Sequence, residues 1–142
     1  MTLLGTVLMS TLIAGATEVS TVQAPDSPVK LEHAAILTAA DAPPVLVYAA
    51  TNVTGDELDE FTVMAFVFDA NGALKARQTA PGRRTLDAYG TKYSTMVLDG
   101  SPIESSYAIV IGVNGAVKVG SETWWHADVQ PAAEAAVPQK KR

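Results

Sequence analysis

Apolar and polar positions in this chain change over at a spacing of two, in short runs closed by turn residues. Phe61 to Phe68 reads Phe-Thr-Val-Met-Ala-Phe-Val-Phe. A run so rich in β-branched and aromatic residues has the composition of a strand buried on both faces. Asp69-Ala70-Asn71-Gly72 follows it. Asn-Gly is a strong hairpin signal, because both residues accept positive φ in a tight turn. Residues 73–78 then alternate polar with apolar, as an edge strand facing water does. Phe61 to Gln78 is therefore predicted as a hairpin around which the rest of the chain is organised.

The same alternation recurs on both sides of it. Val29 to Leu37 alternates and is predicted as a strand, although Ser27 and Pro28 could also open a helix there. Val45–Val53, Thr91–Leu98, Ser106–Val113 and Val117–Ala127 are the other predicted strands. Asp41-Ala42-Pro43-Pro44, Thr54 to Asp59, Ala80 to Arg84, Asp87 to Gly90 and Asp99 to Pro102 read as loops and turns, and Asn114-Gly115 as a second tight hairpin turn. Closely spaced strands without a convincing helix predict an all-β fold. Its expected form is an immunoglobulin- or fibronectin-III-like antiparallel β-sandwich of about seven strands. The domain is placed at residues 25–128. Residues 129–142, rich in Ala, Glu and Pro and ending Gln-Lys-Lys-Arg, are predicted as a disordered tail.

Residues 1–24 form an N-terminal apolar segment. The stretch from Leu3 to Ala16 is shorter than the about 20 residues that cross a bilayer. It fits the apolar middle of a secretory signal peptide. Small residues stand at cleavage spacing in Ala14-Gly15-Ala16 and again in Val22-Gln23-Ala24, the second followed by Pro25, which disfavours a cut. Met1-Thr2 lacks the Lys or Arg with which such segments ordinarily open. The alternative is an uncleaved amphipathic helix or a buried strand. The expected location is extracytoplasmic, periplasmic or secreted.

Composition narrows the chemistry. The chain has 142 residues, 18% charged and 48% hydrophobic, which suits one globular domain with a sizeable core. The net charge of −5, with basic residues scattered until the last three, argues against nucleic acid. The absence of cysteine excludes disulfides, thiolate metal sites and cysteine nucleophiles.

Asn52-Val53-Thr54, the strand ending Phe68-Asp69-Ala70-Asn71-Gly72, and Leu86 and Gly90 leading into Thr91–Leu98 carry a resemblance. The pattern resembles the immunoglobulin-like FxLYD-type domains of bacterial envelope proteins over residues 29–127. Val67-Phe68-Asp69 stands where that family has Leu-Tyr-Asp. The resemblance implies a sandwich and an extracytoplasmic place, and it implies no activity.

No residue set rises to a catalytic, cofactor-binding or metal-binding site. There is no Gly-x-Ser-x-Gly. His33 and His126 are the only histidines, one near each end of the domain, and two without cysteine rarely make a zinc site. Asp56-Glu57-Leu58-Asp59-Glu60 lacks the spacing of a calcium loop and reads as a solvated acidic loop. Asn52-Val53-Thr54 matches a glycosylation sequon, but the simpler reading is an Asn that hydrogen-bonds its own turn. Arg83-Arg84 and the terminal Lys140-Lys141-Arg142 are weak anion signals.

Parity along the strands gives the remaining expectation. Tyr107, Ile109, Ile111 and Val113 should face the core, as should Met64, Phe66 and Phe68. Val63, Ala65, Val67 and Val110 would then lie outward. Trp124 joins them, because Lys118, Glu122 and His126 share its face. The expected partner-binding surface is therefore Trp124, Val63, Ala65, Val67 and Val110, the alternative being that Trp124, a retained N-terminal segment or the C-terminal tail seals this face. Together these observations predict an exported, non-enzymatic module that binds another protein or itself through an outer sheet face. Any membrane contact is expected through an uncleaved N-terminal segment, as in a tethered structural envelope domain. The second alternative is a small hydrolase or ligand-binding domain that uses His33 and His126.

Overall fold

The structure, a computed structural model, describes residues 17–80, 85–99, 102–120 and 124–137. Among these the elements are β1 (Glu18–Thr21), β2 (Val29–Ala39), β3 (Ala42–Asn52), β4 (Leu58–Phe68), β5 (Leu74–Ala80), β6 (Thr91–Val97), β7 (Ala108–Lys118), β8 (Trp124–His126) and α1 (Gln130–Ala136). The fold is the expected all-β sandwich. One sheet runs β1-β7-β4-β5 with β8 also on β7, and the other runs β2-β3-β6. The strands of the sandwich begin before residue 25, at β1, and β1 pairs with β7 in parallel while every other pair is antiparallel.

β4 lies between β5 and β7 and is buried on both faces, as its composition demanded. Its turn differs in detail from the expectation. Gly72 alone takes positive φ, at 83°, so Asn71 does not share it. Instead the Asp69 carboxylate accepts the N–H of Asn71 at 2.8 Å and of Ala73 at 3.0 Å. The Ala73 N–H, with that of Asn71, holds this exposed carboxyl below its ordinary range.

Two turns were misplaced by sequence. Asn114-Gly115 is no hairpin turn, because β7 runs straight through it. Thr62 pairs with Gly115 while Val63 pairs with Val113, so Asn114 is the extra residue of a β-bulge. The Thr62 hydroxyl donates to the Asn114 side-chain oxygen at 2.6 Å and fixes the bulge. Pro43 and Pro44 belong to β3 rather than to a loop, the turn being Ala40-Asp41 with Asp41 at φ 66°.

The first core lies between the sheets. Leu46, Tyr48 and Ala50 of β3 meet Val63 and Ala65 of β4 and Ile109, Ile111 and Val113 of β7. The second lies outside the larger sheet. There Phe66, Phe68 and Val110 are buried under Val129, Ala133 and Val137. The segment expected to be a disordered tail is thus ordered through Val137, and residues 138–142 lie outside the described residues. Pro131 suits the first turn of α1, and the four-residue spacing of Val129, Ala133 and Val137 puts all three on one side.

Candidate functional site

The expected partner surface does not exist as drawn. Val63 and Ala65 are each 1% exposed and Val67 is 5% exposed, all three inside the inter-sheet core. The register gives the reason. Val63, Ala65 and Val67 sit directly opposite Val113, Ile111 and Ile109, and residues paired across a sheet share a face. The inward parity of β7 was read correctly and that of β4 was inverted. Val110 does lie on the outer face, but it is 1% exposed beneath the C-terminal segment. The backbone of Trp124 pairs with Val117, and its side chain lies outside the described residues. Trp125 opposes Ala116 and packs against the inter-sheet core.

The two histidines are not brought together. His33 lines a surface depression between β1 and β2, whereas His126 lines another with Arg77, Asn114 and Asp128. His33 is the bulge residue of β2, in the left-handed region at φ 56°, where the pairing slips between Glu32 and Ala35. No group of His, Cys, Asp or Glu among the described residues could hold a metal ion. The run Asp56 to Glu60 is a loop only at its start, because Leu58, Asp59 and Glu60 belong to β4 with Leu58 buried, and Asp56 pairs with Lys118 at 3.2 Å.

Asn52 is fully buried and serves as a structural node. Its side-chain N–H groups donate to the carbonyls of Asp56, Leu86 and Asp87 at 2.7, 3.3 and 3.1 Å. Its oxygen accepts the Thr54 N–H at 2.9 Å and hydroxyl at 2.8 Å. An amide so enclosed cannot carry a glycan, and the turn reading of the sequon holds. Asn52, Leu86 and Gly90, which carry the family resemblance, meet here, since the Asn52 N–H donates to the Gly90 carbonyl at 2.9 Å. Arg83 and Arg84 lie outside the described residues.

What sequence reasoning missed is the outer face of the smaller sheet. Paired rows across it run Leu37–Val45–Val97, Ala35–Val47–Thr95 and Glu32–Ala49–Tyr93. Leu37 is 57% exposed, Val97 46% and Tyr93 77%. Val45 and Val47 are half-buried between them. No described element lies over this face. At its far end Thr51 and Thr91 share a hydrogen bond of 2.7 Å, and Lys30 pairs with Glu32 at 3.2 Å. At that end the Lys30 and Glu32 charges offset each other. The arrangement offers contact area and no reactive group.

The β2 bulge hid this face. Val29 and Leu31 point inward, but beyond His33 it is Ala34 and Ile36 that pack on the core, which leaves Ala35 and Leu37 outside. A straight alternation from Val29 to Leu37 cannot show that change of parity. On β6 the inward residues are Ser94 and Met96, both buried, against the usual preference for burying Tyr over Ser.

Comparison with known proteins finds no match, whether among family models, curated proteins or solved structures.

Proposed function

We propose that this protein is an exported, non-enzymatic β-sandwich module that binds another protein, or a second copy of itself, through an outer sheet face. The observation that carries the reading is the bare face of the smaller sheet, where Leu37, Val97 and Tyr93 stand exposed beside Val45 and Val47. Contiguous apolar surface of this kind marks interaction sites, and Tyr is enriched at interface hot spots. His33 and His126 line different depressions, which favours this reading over the alternative that uses both histidines in one site. Export and an extracytoplasmic location rest on the apolar stretch Leu3–Ala16 and the small residues that close it. The resemblance to FxLYD-type envelope domains supports the same location.

The test is a crosslinked pull-down from the native envelope and medium, run beside light scattering of the purified chain. Wild type is compared with the double variant Tyr93→Lys, Val97→Lys. The reading expects a partner, or a dimer, seen with wild type and lost in the variant, with unfolding curves unchanged. A partner or dimer retained by the folded variant removes this face from the proposal. No association in either form removes binding altogether.

A further inference from the structure

The structure separates the two cleavage sites that the sequence leaves open. Residues 17–24 are part of the folded sandwich. Thr17 donates its hydroxyl to the Glu104 carbonyl at 3.2 Å. β1 then pairs along β7 from Glu18↔Ala108 to Thr21↔Ile111. The Val22 N–H continues the ladder to the Ile111 carbonyl at 2.9 Å. Val19 packs on the inter-sheet core, and Val22 and Ala24 pack on the cluster beneath α1. Gly112 is fitted to Val22, since a Cβ at residue 112 would lie 3.0 Å from Val22 Cγ2 and 3.3 Å from the Val22 oxygen. The Ser27 N–H, finally, donates to the Ala24 carbonyl at 3.2 Å.

A cut after Ala24 would strip all of this away. Residues 108–111 of β7 would lose their partner on that edge, leaving backbone groups unpaired next to Ile109, Val110 and Ile111, which are each at most 1% exposed. A cut after Ala16 leaves β1 and all of the contacts of residues 17–24 in place. It leaves Thr17 as a single residue ahead of β1. The sequence agrees, because Ala14 and Ala16 directly follow the apolar stretch while Ala24 is followed by Pro25.

We propose that a signal peptidase hydrolyses the Ala16–Thr17 peptide bond, and that the mature protein begins at Thr17 with β1 intact. Water adds across the amide, so Ala16 leaves with a carboxylate and Thr17 keeps a protonated amine. The site is recognised through the small side chains of Ala14 and Ala16. This inference rests on the export reading above.

The experiment expresses the full chain from Met1 in a secreting bacterial host and determines intact mass and N-terminal sequence in each cell fraction. The expected first residue is Thr17, in the extracytoplasmic fraction. Ala16→Gln should accumulate the uncleaved chain, whereas Ala24→Gln should be processed as wild type. An extracytoplasmic product that begins at Pro25, or a block caused by Ala24→Gln, overturns the cleavage site and leaves export standing. A chain that keeps residues 1–16 overturns cleavage, and its fraction then decides the rest. Found in the cytoplasm, it overturns export as well. Found on the membrane, it supports the tethered form.

Discussion

The two sheets of this sandwich have outer faces of opposite fate. The larger sheet carries Phe66, Phe68 and Val110 on its outside, and the chain buries them under Val129, Ala133 and Val137. The smaller sheet carries Leu37, Val45, Val47, Val97 and Tyr93 on its outside, and no described element covers them. The difference follows from where the chain goes after its last strand. β8 is only three residues long and sits on the edge of β7, so the segment after it turns directly onto the larger sheet. Its start is held by the Asp128 carboxylate, which accepts the Gln130 N–H at 3.1 Å. Two phenylalanines need such a cover, because large aromatic surface in water is unfavourable. On the smaller sheet Val45 and Val47 are already half-buried by their neighbours, and the largest exposure is at Tyr93, whose hydroxyl is at home in water. One face is therefore closed by the chain itself, and the other is left bare among the described residues.

The largest expected effect breaks the covered face. Phe66→Ala should destabilise the protein by about 3–5 kcal/mol, as truncations of fully buried aromatics do. Val97→Ala on the bare face should change stability by less than about 0.5 kcal/mol. Urea unfolding of both variants checks the contrast. Similar losses for the two would mean that the smaller sheet's face is also covered in solution.

A somewhat smaller effect is expected at the cover itself. Ala133 is fully buried at the middle of the apolar side of α1. Ala133→Asp puts a carboxylate against Phe66 and Phe68, and should cost about 2 kcal/mol. The loss is capped because the helix can undock and hydrate the new charge. The checks are the urea midpoint and loss of amide protection from residue 130 onward. An unchanged midpoint would mean that the helix contributes nothing to the fold.

Of this contrast, the doubly buried central strand was legible in the sequence, while the ordered cover of one face and the bare surface of the other were not. The unbroken run Phe61–Phe68 demanded burial on both faces, and β4 is so buried. Two buried faces require two covers, yet the segment that supplies the second was read as a disordered tail. Its composition, Ala, Glu and Pro, is that of a chain without a core. The signal that corrects it is narrow, consisting of Val129, Ala133 and Val137 at helical spacing with Pro131 in the first turn. Bulges hid the rest. At Asn114 an extra residue imitates a turn, and at His33 another reverses the parity of β2. Side-chain period alone cannot register an inserted residue, since each insertion exchanges inside for outside. The inverted reading of β4 has a different origin. Residue size suggested that the phenylalanines fill the inter-sheet space, but that space is already occupied by Tyr48, Leu46, Ile109 and Ile111 and accepts Ala65.

The smallest effect sharpens the comparison at the edge of the cover. Arg77 opposes Phe66 on β5 and donates from Nη1 to the Gln130 side-chain oxygen at 2.6 Å. Gln130 in turn donates to the Glu134 carboxylate at 3.1 Å. An edge-strand side chain thus reaches across to the first turn of the helix from a position paired with Phe66, one of the aromatics that the helix covers. The pair is exposed, so its net contribution is small. Arg77→Ala should lower stability by about 0.5–1 kcal/mol, with little dependence on salt because the acceptor is a neutral amide. Hydrogen exchange should quicken for residues 130–136 more than for β6, which belongs to the other sheet. Equal quickening in both would place the role of Arg77 in the sandwich as a whole. Loss of solubility without local quickening would point instead to its position on the edge of β5, where a charged side chain keeps the strand from pairing with another copy.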